Sequence, residues 1–361
     1  MIRRPYTVVL IVPTGIGAAI GGYAGDALPV ARAMAQIADR LITHPNVLNG
    51  AQLYWPLPNA LYVEGFGLDK FAKGCWGLRP VHQNRVGLIL DCGIEPDLRL
   101  RHLQAADAAR ATLGISLTDC AVTDAPLEVE LRTSDAGASW GTIGNPGSLL
   151  RAAEVLVRQA GAEALAVVAR FPDDPDSEAL QRYRHGQGVD PLAGAEAVIS
   201  HLVVRTLAIP CAHAPALSPL PLDANLSPRS AAEELGHTFL PCVLAGLSRA
   251  PQFITTKSEI CQPADVWAEQ VDAVVVPAAA FGGSAVLSFS QMPVLAIAVS
   301  ENQTTMQVPP EKVGVKAIRV NSYLEALGVM VAHRAGISPA ALSPSVPSLR
   351  CLSFTDGRTT S

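Results

Sequence analysis

The sequence predicts an α/β fold: a mostly parallel sheet or sheets with helices on both faces, in an arrangement that fits two similar α/β lobes. Near-continuous apolar runs such as "TVVLIV", "VGLIL", "ALAVVARF" and "VDAVVVP" alternate with helical patterns. Strands that are buried on both faces have such continuous runs, and helical crossovers join parallel strands. Glycine-rich turns follow several of these runs, at the end of a parallel sheet where ligands bind.

The first half of the chain opens with a strand, a glycine loop and an alanine-rich helix over residues 7–40. A segment rich in Pro, Gly and Asn follows, and this composition predicts loops. "VGLILDCGI" is then a buried strand that ends in Asp91 and Cys92, and "DLRLRHLQAADAARATLG" has the apolar spacing of an amphipathic helix. "CAVTDAPLEVEL" alternates apolar and polar residues, which predicts a further strand.

The second half repeats this pattern. "GASWGTIGNPGS" predicts a second glycine loop, which leads into a helix and the strand "ALAVVARF". Ser227 and Pro228 suit an N-cap and a first helical position, with Glu233 and Glu234 in the early turns of that helix. "VDAVVVPAAAFGGSAVLSFSQMPVLAIAVSEN" predicts a strand, a third glycine loop, a short helix and a strand. These elements suggest one lobe over 1–135, a second over 136–337 and a Ser/Pro-rich tail over 338–361.

Composition excludes several classes of protein. The chain has 361 residues, 49% of them hydrophobic and 16% charged, so it can bury a large core and is not disordered. Its net charge of -5, without a basic stretch interleaved with aromatics, argues against a nucleic-acid partner. No apolar run is long enough to span a membrane, so we expect a soluble, cytoplasmic protein. The seven scattered cysteines, without a C-x-x-C pair, predict reduced thiols and no zinc site.

The first glycine loop has the spacing Gly15-x-Gly17-x-x-x-Gly21-Gly22. A dinucleotide fingerprint needs its third glycine one position earlier and an acidic residue at the end of the next strand, whereas Asp39 is predicted inside a helix. A P-loop would need Lys followed by Ser or Thr after the last glycine, and this is missing as well. The sequence therefore indicates neither NAD nor ATP, and no cofactor or metal ion is expected.

The three glycine loops nevertheless share one chemistry. Glycines let backbone N–H groups converge, and the start of the following helix adds positive potential, so an anion is favoured there. The alternative is that each loop is a tight strand-to-helix turn and nothing more. The predicted anion-binding residues are Gly15, Gly17, Gly21, Gly22, Asn46, Ser139, Gly141, Thr142, Asn145, Gly282, Gly283 and Ser284.

Five side chains are candidates for proton transfer. His44 and His213 lie on predicted loop or proline-flanked segments and could act as general acid or base, although a histidine can also tie a loop to the backbone. Asp26 follows the first loop, and Asp173 and Glu301 follow strands. Carboxylates brought together would raise one pKa and yield a usable base, but such residues also serve solubility.

Several motifs together resemble one protein family. They include "VPTGIGAAIGGYAGDALP", "LITHPNVLNGAQLYW", "VDPLAGAEAVISHL", "SPRSAAEELGHTFLPCVL" and "VVVPAAAFGGSAVL". The chain is similar from Val8 to about Asn321 to an uncharacterised family of cyanobacteria, plant plastids and actinobacteria, the domain of unknown function DUF3326. The alanine- and arginine-rich composition suggests a high-GC source such as an actinobacterium. Among proteins from such sources, the chain is similar to proteins of specialised metabolism that close an aziridine ring on an amino-acid-derived substrate.

That second resemblance implies an amine attacking, within one molecule, a carbon that bears a sulfate or phosphate ester. Together with the glycine loops it leads us to expect an enzyme that displaces or eliminates such an ester from a small anionic metabolite. The alternatives are a non-catalytic binding or scaffold subunit of a hetero-oligomer and an NAD-dependent oxidoreductase. We expect an oligomer, with a partner subunit or carrier protein as a further possible partner and neither nucleic acid nor membrane.

Overall fold

The protein is described here by a computed structural model over residues 4–49, 55–235, 239–256, 261–346 and 348–349. Two parallel sheets form its frame, so the predicted α/β class is confirmed. The strands are β1 (Thr7–Leu10), β2 (Arg40–Thr43), β3 (Ala60–Tyr62), β4 (Gly77–Arg79), β5 (Val86–Leu90), β6 (Leu117–Val122), β7 (Val129–Thr133), β8 (Ser139–Ile143), β9 (Ala164–Arg170), β10 (Cys211–Ala216), β11 (Gln252–Ile254), β12 (Val271–Pro277), β13 (Leu295–Val299) and β14 (Ala317–Val320).

Helices connect most of these strands, as parallel pairing requires. They are α1 (Leu28–Ile37), α2 (Pro45–Leu48), α3 (Gly65–Ala72), α4 (Pro96–Leu113), α5 (Pro146–Gln159), α6 (Glu178–Arg184), α7 (Ala193–Leu207), α8 (Pro228–Leu235), α9 (Phe239–Ser248), α10 (Ser284–Phe289) and α11 (Tyr323–Arg334). Pro at the first helical turn of α1, α4 and α5 suits the fixed φ of that position.

The large sheet draws its strands from both ends of the chain. Its order is β14-β13-β12-β1-β2-β3, and every neighbouring pair is parallel. The order therefore reverses direction between β1 and β12. In doubly wound sheets the loops after the two strands at such a point form a crevice, and ligands bind there. The first glycine loop follows β1, so it lies at this crevice.

The small sheet is built from the middle of the chain in the order β10-β9-β5-β6, again with parallel pairs. Two antiparallel pairs complete the strands, β11 with β4 and the hairpin β7–β8. The sheets divide the chain differently from the expected lobes, because β12–β14 pair beside β1 while β9 and β10 pair beside β5. Residue 135 marks no boundary between the sheets.

Successive side chains of each strand point to opposite faces of its sheet, so each sheet has an apolar core on both faces. Helices cover both of these faces. In the large sheet Val8 and Leu10 pack with α1 and α11, whereas Val9 packs with α3 and α10. In the small sheet Leu88 packs with α4 and α9, whereas Ile89 packs with α5 and α7. One core cluster includes residues of both sheets, so the two sheets share buried surface.

The predicted tail begins where helix α11 has ended. Residues 338–346 contain one short 3-10 turn, Pro339–Leu342, and are exposed to solvent. Residues 347 and 350–361 of the predicted tail lie outside the described residues.

Candidate functional site

The first glycine loop, residues 11–27, meets the small sheet's connections. The carbonyl of Gly15 accepts a hydrogen bond from the Ser139 N–H at 2.8 Å, and the Ile16 carbonyl accepts one from the Thr305 N–H at 2.8 Å. Gly17 has a φ of +59°, and a Cβ there would lie 2.9 Å from Cγ2 of Val189. Glycine is therefore required at this position by conformation and by space. The loop is held against β8, the segment before α7 and the chain around residue 305.

Part of this loop has unused hydrogen-bond donors. The N–H groups of Gly15, Gly17 and Ala18 donate to no other described residue, although Gly15 and Ala18 are buried. The φ angles at Gly15 and Gly17 are positive and that of Ile16 between them is not. Such alternation turns successive N–H groups toward one concave face, where an anion is favoured. These N–H groups belong to the stretch for which anion binding is predicted.

The rest of the loop is occupied by the protein's own groups. Ile20 N–H donates to Oδ1 of Asn302 at 2.9 Å, and Gly21 N–H donates to Oδ1 of Asp26 at 2.5 Å. Nδ2 of Asn46 donates to the Gly21 carbonyl at 2.6 Å. Gly21 and its neighbour Gly22, which packs on the Ala18 carbonyl, therefore shape the turn.

Asp26 is engaged on both oxygens. Besides the Gly21 N–H it accepts a hydrogen bond from the Arg229 guanidinium at 2.5 Å. Burial raises the pKa of Asp26 even so, against the opposing effect of Arg229. The carboxylate ties α8 to the first loop.

His44 is also part of this loop's support. Its imidazole is buried at the end of β2, and Nε2 accepts a hydrogen bond from the Val12 N–H at 3.1 Å. Burial lowers the pKa of His44 to about 4, so the ring is neutral at physiological pH. With Nε2 as acceptor, the ring proton sits on Nδ1. Of the two roles considered for His44, the observed contact matches the one that ties a loop to the backbone.

Carboxylates collect on the other side of the loop. Asp190 precedes α7, and its Oδ1 accepts the Leu192 N–H at 2.8 Å. Burial, followed by the nearby Glu196 carboxylate, raises the pKa of Asp190 to about 7. Burial, followed by Asp190, raises the pKa of Glu233 on α8 well above its usual range. Perturbed carboxylates that lack a neutralising cation are a signature of functional sites.

Two stacked tyrosines, one in the first loop and one in α6, link the loop to Glu233. The rings of Tyr23 and Tyr183 lie 4.4 Å apart with an interplanar angle of 19°. Tyr183 Oη donates to Glu233 Oε2 at 2.6 Å, and Tyr23 Oη donates to the Tyr183 carbonyl at 3.0 Å. Burial, with Glu233 as the second cause, raises the pKa of Tyr23 to about 12, so its hydroxyl keeps its proton.

His213 joins the same group through Glu196. It lies in strand β10, with Nε2 3.7 Å from Glu196 Oε2 and Nδ1 3.1 Å from the Ser200 hydroxyl. Glu196 and Ser200 are one turn apart on α7, so one helix face positions the ring from both sides. We call the first loop, residues 183–196 and α8 the junction site.

The predicted second glycine loop is mostly a strand, and this expectation was wrong. Ser139–Ile143 is β8, and Ser139 Oγ accepts the Gly194 N–H at 3.1 Å. A Cβ on Gly141 would lie 2.5 Å from the Ala195 Cβ, so glycine here permits α7 to pack on β8. Thr142 Oγ1 donates to Glu130 and Asn145 Nδ2 donates to the Pro126 carbonyl, both away from the junction site.

The third glycine loop faces α3. Ser284 and the Ala285 N–H at the start of α10 both donate to the Asp69 carboxylate. Burial raises the pKa of Asp69, against the opposing effect of Lys73. Gly282 packs against Val308, and Gly283 precedes the helix in an extended conformation. A carboxylate of the protein therefore already takes the position predicted for an anion.

Two of the predicted bases have structural partners elsewhere. Asp173 accepts from Arg170 and Ser218, and the Arg170 guanidinium lowers the pKa of Asp173 to about 2. It lines a separate cavity of about 340 Å³ beyond the carboxyl ends of β5 and β9. Glu301 Oε1 accepts the Tyr323 N–H at 2.8 Å at the first turn of α11. Neither residue lies at the junction site.

Sequence reasoning missed the central carboxylates. Asp190 is followed by Pro191 and a helix, which is the usual sequence of a helix N-terminus and indicates only a cap. Glu233 was interpreted only as an acidic residue of an early helical turn. Among the described residues, no group of three or more His, Cys, Asp or Glu side chains is arranged to hold a metal ion.

The close approach of α7 to β8 yields a first prediction. A Cβ on Gly194 would overlap the Cα of Trp140 and the carbonyl of Ser139, which are backbone atoms that cannot rotate away. We expect Gly194→Ala to lower the free energy of unfolding by about 3 kcal/mol. Urea denaturation measures this. The matched control is Gly328→Ala in α11, which has open space around it and should be neutral or stabilising; equal behaviour of both variants would refute the packing argument.

Comparison with known proteins places the chain in a family. Residues 7–343 match the family model described as a protein of unknown function, DUF3326. The chain is 61% identical over 344 residues to an uncharacterised lipoprotein of Synechococcus sp., and the match covers 95% of each chain. No solved structure matches. Within the described residues, no helix combines the length and apolar character needed to cross a membrane. The resemblance read from the sequence motifs is thereby confirmed, and the chain belongs to the DUF3326 family.

Proposed function

We propose that the protein is a small-molecule enzyme that displaces or eliminates a sulfate or phosphate ester, and that its substrate also carries an amine. The observation that supports this is the adjacency of unpaired backbone N–H groups and partly buried carboxylates at the junction site. Gly17 packs against Val189, which directly precedes Asp190. An ester oxyanion suits the N–H groups of Gly15, Gly17 and Ala18, and an ammonium group suits Asp190 and Glu233.

The proposed step balances without a cofactor. The substrate ammonium group first loses one proton, which frees the lone pair of its nitrogen. The nitrogen then attacks the carbon that bears the ester, the carbon–oxygen bond breaks with its electron pair on the leaving sulfate or phosphate, and the product is a protonated amine. The proton lost by the nitrogen passes to the Asp190 carboxylate, whose pKa of about 7 suits a base near neutral pH. The loop N–H groups stabilise the charge on the leaving oxygen. If the amine is in the same molecule, on the carbon next to the one that bears the ester, the product is an aziridine.

A ligand-induced stabilisation experiment tests the proposal. The probes are 2-aminoethyl hydrogen sulfate, which has both groups, and propyl sulfate, which lacks the amine. At tenfold excess over Kd, a bound ligand should add about 1.4 kcal/mol to the free energy of unfolding. We expect propyl sulfate to stabilise the protein above sodium chloride of equal ionic strength, and the aminated probe to stabilise it further. Asp190→Asn should remove only the difference between the probes.

Other outcomes of this experiment would reject the proposal. If neither sulfate ester stabilises the protein, the proposed anion site is rejected. Stabilisation that appears only when a second protein is added would favour a scaffold subunit of a hetero-oligomer. The protein should therefore be assayed alone and with the products of neighbouring genes.

The strand order of the large sheet favours a second candidate, binding of a dinucleotide. Reversal of order at β1, followed by a glycine loop, is the arrangement found in dinucleotide-binding sheets. Two features oppose it. The end of β2 carries Thr43 and His44 where a ribose-binding carboxylate would be needed, and the glycine spacing differs. Stabilisation by NAD(P) with none by sulfate esters would support this candidate instead.

We also propose a cytoplasmic location. The six cysteines within the described residues are all free thiols, as expected in a reducing compartment. The Synechococcus relative carries the name lipoprotein, so a membrane-anchored location is the competing outcome. Fractionation of cells that express the full chain, followed by immunoblotting of soluble and membrane fractions, decides between the two.

A further inference from the structure

Residues 221–235, which we call the strap, include α8 and so form one side of the junction site. Within the strap no apolar side chain that the structure describes is buried, and Leu222 is 96% exposed. The next helix differs sharply, because Val243, Leu244 and Leu247 of α9 are all buried. Segments with few buried apolar contacts open at low free energy. The strap is therefore packed more weakly than the helix that follows it.

Polar contacts hold the strap in place. Arg229 bonds to Asp26 and to the Ala19 carbonyl at 2.8 Å. Glu233 accepts from Tyr183, and Glu234 accepts from Arg184 Nε at 2.8 Å. Three residues of one helix thus join it to the first loop and to α6. Each contact can be exchanged for water once the helix moves away.

The strap contacts the groups of the proposed function. Glu233 of α8 accepts a hydrogen bond from Tyr183 of α6, and Asp190 lies close enough to raise the pKa of Glu233. With α8 in place Tyr183 is buried and Asp190 and Glu233 are only partly exposed, so movement of α8 would widen the access of a substrate to Asp190. We propose that the strap is a lid that opens as a unit to admit small molecules to the carboxylates of the junction site.

The charged groups around Glu233 determine how opening of the lid depends on pH. Glu233 faces Asp190, Glu196 of α7, and Tyr183 of α6, while Tyr23 and Asp26 lie on the first loop. The cations Arg229 and Arg184 are paired with Asp26 and Glu234. Glu233 is protonated more readily when the lid is closed, so the closed form loses stability as pH rises above the open-form pKa. Opening should increase with pH.

Hydrogen exchange measured by mass spectrometry on the full chain, without ligand, tests the lid. We expect amides of 228–235 to exchange at least 100-fold more slowly than an unstructured peptide yet at least 100-fold faster than amides of 199–204 in α7. After correction for intrinsic rates, their opening should rise between pH 6 and pH 8. Arg229→Gln should speed exchange in the strap about tenfold without affecting α7. Arg151→Gln, which breaks the Arg151–Asp124 pair elsewhere, is the control and should change nothing in the strap.

The lid would be overturned if strap and α7 amides exchanged at the same rate, or if Arg229→Gln changed both equally. The lid proposal rests on the proposed function only for the identity of the small molecule that the lid admits. Exchange is measured without a ligand, so the two proposals can fail separately. If the strap exchanges as expected but neither sulfate ester stabilises the protein, the lid proposal stands and the proposed reaction is rejected.

Discussion

Replacing Asp190 by asparagine should make the protein more stable at pH 8, although the residue lies at the centre of the candidate site. Asparagine keeps an oxygen that accepts the Leu192 N–H and removes the charge. The free energy of unfolding should rise by about 2 to 3 kcal/mol at pH 8, after a discount because the side chain is partly exposed to solvent. At pH 4 the two proteins should be nearly equal.

The sign follows from the raised pKa. Asp190 titrates near pH 4 when unfolded and at about 7 when folded, so the unfolded protein releases its proton first as pH rises. The stability of the folded protein is then lost progressively between these two values. A group that destabilises the fold under physiological conditions and is easily replaced is typical of a functional site.

Denaturant unfolding of both proteins from pH 4 to pH 9 checks this result. Asp173→Asn is the control with opposite sign, because Arg170 lowers the pKa of Asp173 and its ionised form stabilises the fold. If Asp190→Asn were as destabilising at pH 8 as that control, Asp190 would be an ordinary helix cap and the candidate site would lose its main group.

Replacing His44 by alanine should have the largest destabilising effect. The change leaves a cavity in a buried position and removes the acceptor of the Val12 N–H, which lies at the start of the first loop. Together these losses should lower the free energy of unfolding by about 3 to 5 kcal/mol. His82→Ala, at an exposed position, should be almost neutral.

The pH dependence gives His44→Ala a second readout. The folded pKa of about 4 lies below that of an unfolded histidine, so the wild type keeps the full contribution above pH 6.5 and loses it as pH falls toward 4. This loss amounts to about 3 kcal/mol and should vanish in the variant. Urea unfolding at pH 7 and pH 4 measures both effects. An unchanged acid dependence in His44→Ala would show that another group is responsible.

Local sequence patterns predicted the strands well but not their order. "TVVLIV" and "VDAVVVP" both read as buried parallel strands, and both are. Nothing in either run shows that β1 pairs with β12, some 260 residues later, rather than with a neighbour in the chain. Strand order depends on which faces are free after all helices have packed, and a single sequence does not record this. The boundary at residue 135 therefore followed chain order and not the sheets.

Glycine was the least informative residue at the site. Gly17 lies where a positive φ and close packing leave no alternative, Gly141 allows a helix to approach a strand, and Gly283 precedes a helix whose start is already bound to Asp69. The sequence shows a glycine in all three cases and does not distinguish these roles. Asp190 was missed for a related reason, since an acidic residue before a helix usually serves as a cap. Only its position beside Glu196 and Glu233 in the folded protein distinguishes it.

A crystal structure of the protein grown or soaked with selenate tests the central claim most directly, because selenium is located by its anomalous signal. We expect a selenate ion whose oxygens lie about 2.7 to 3.2 Å from the nitrogens of Gly17 and Ala18. Selenate bound only at other positions, with those N–H groups covered by the protein's own atoms, would contradict it.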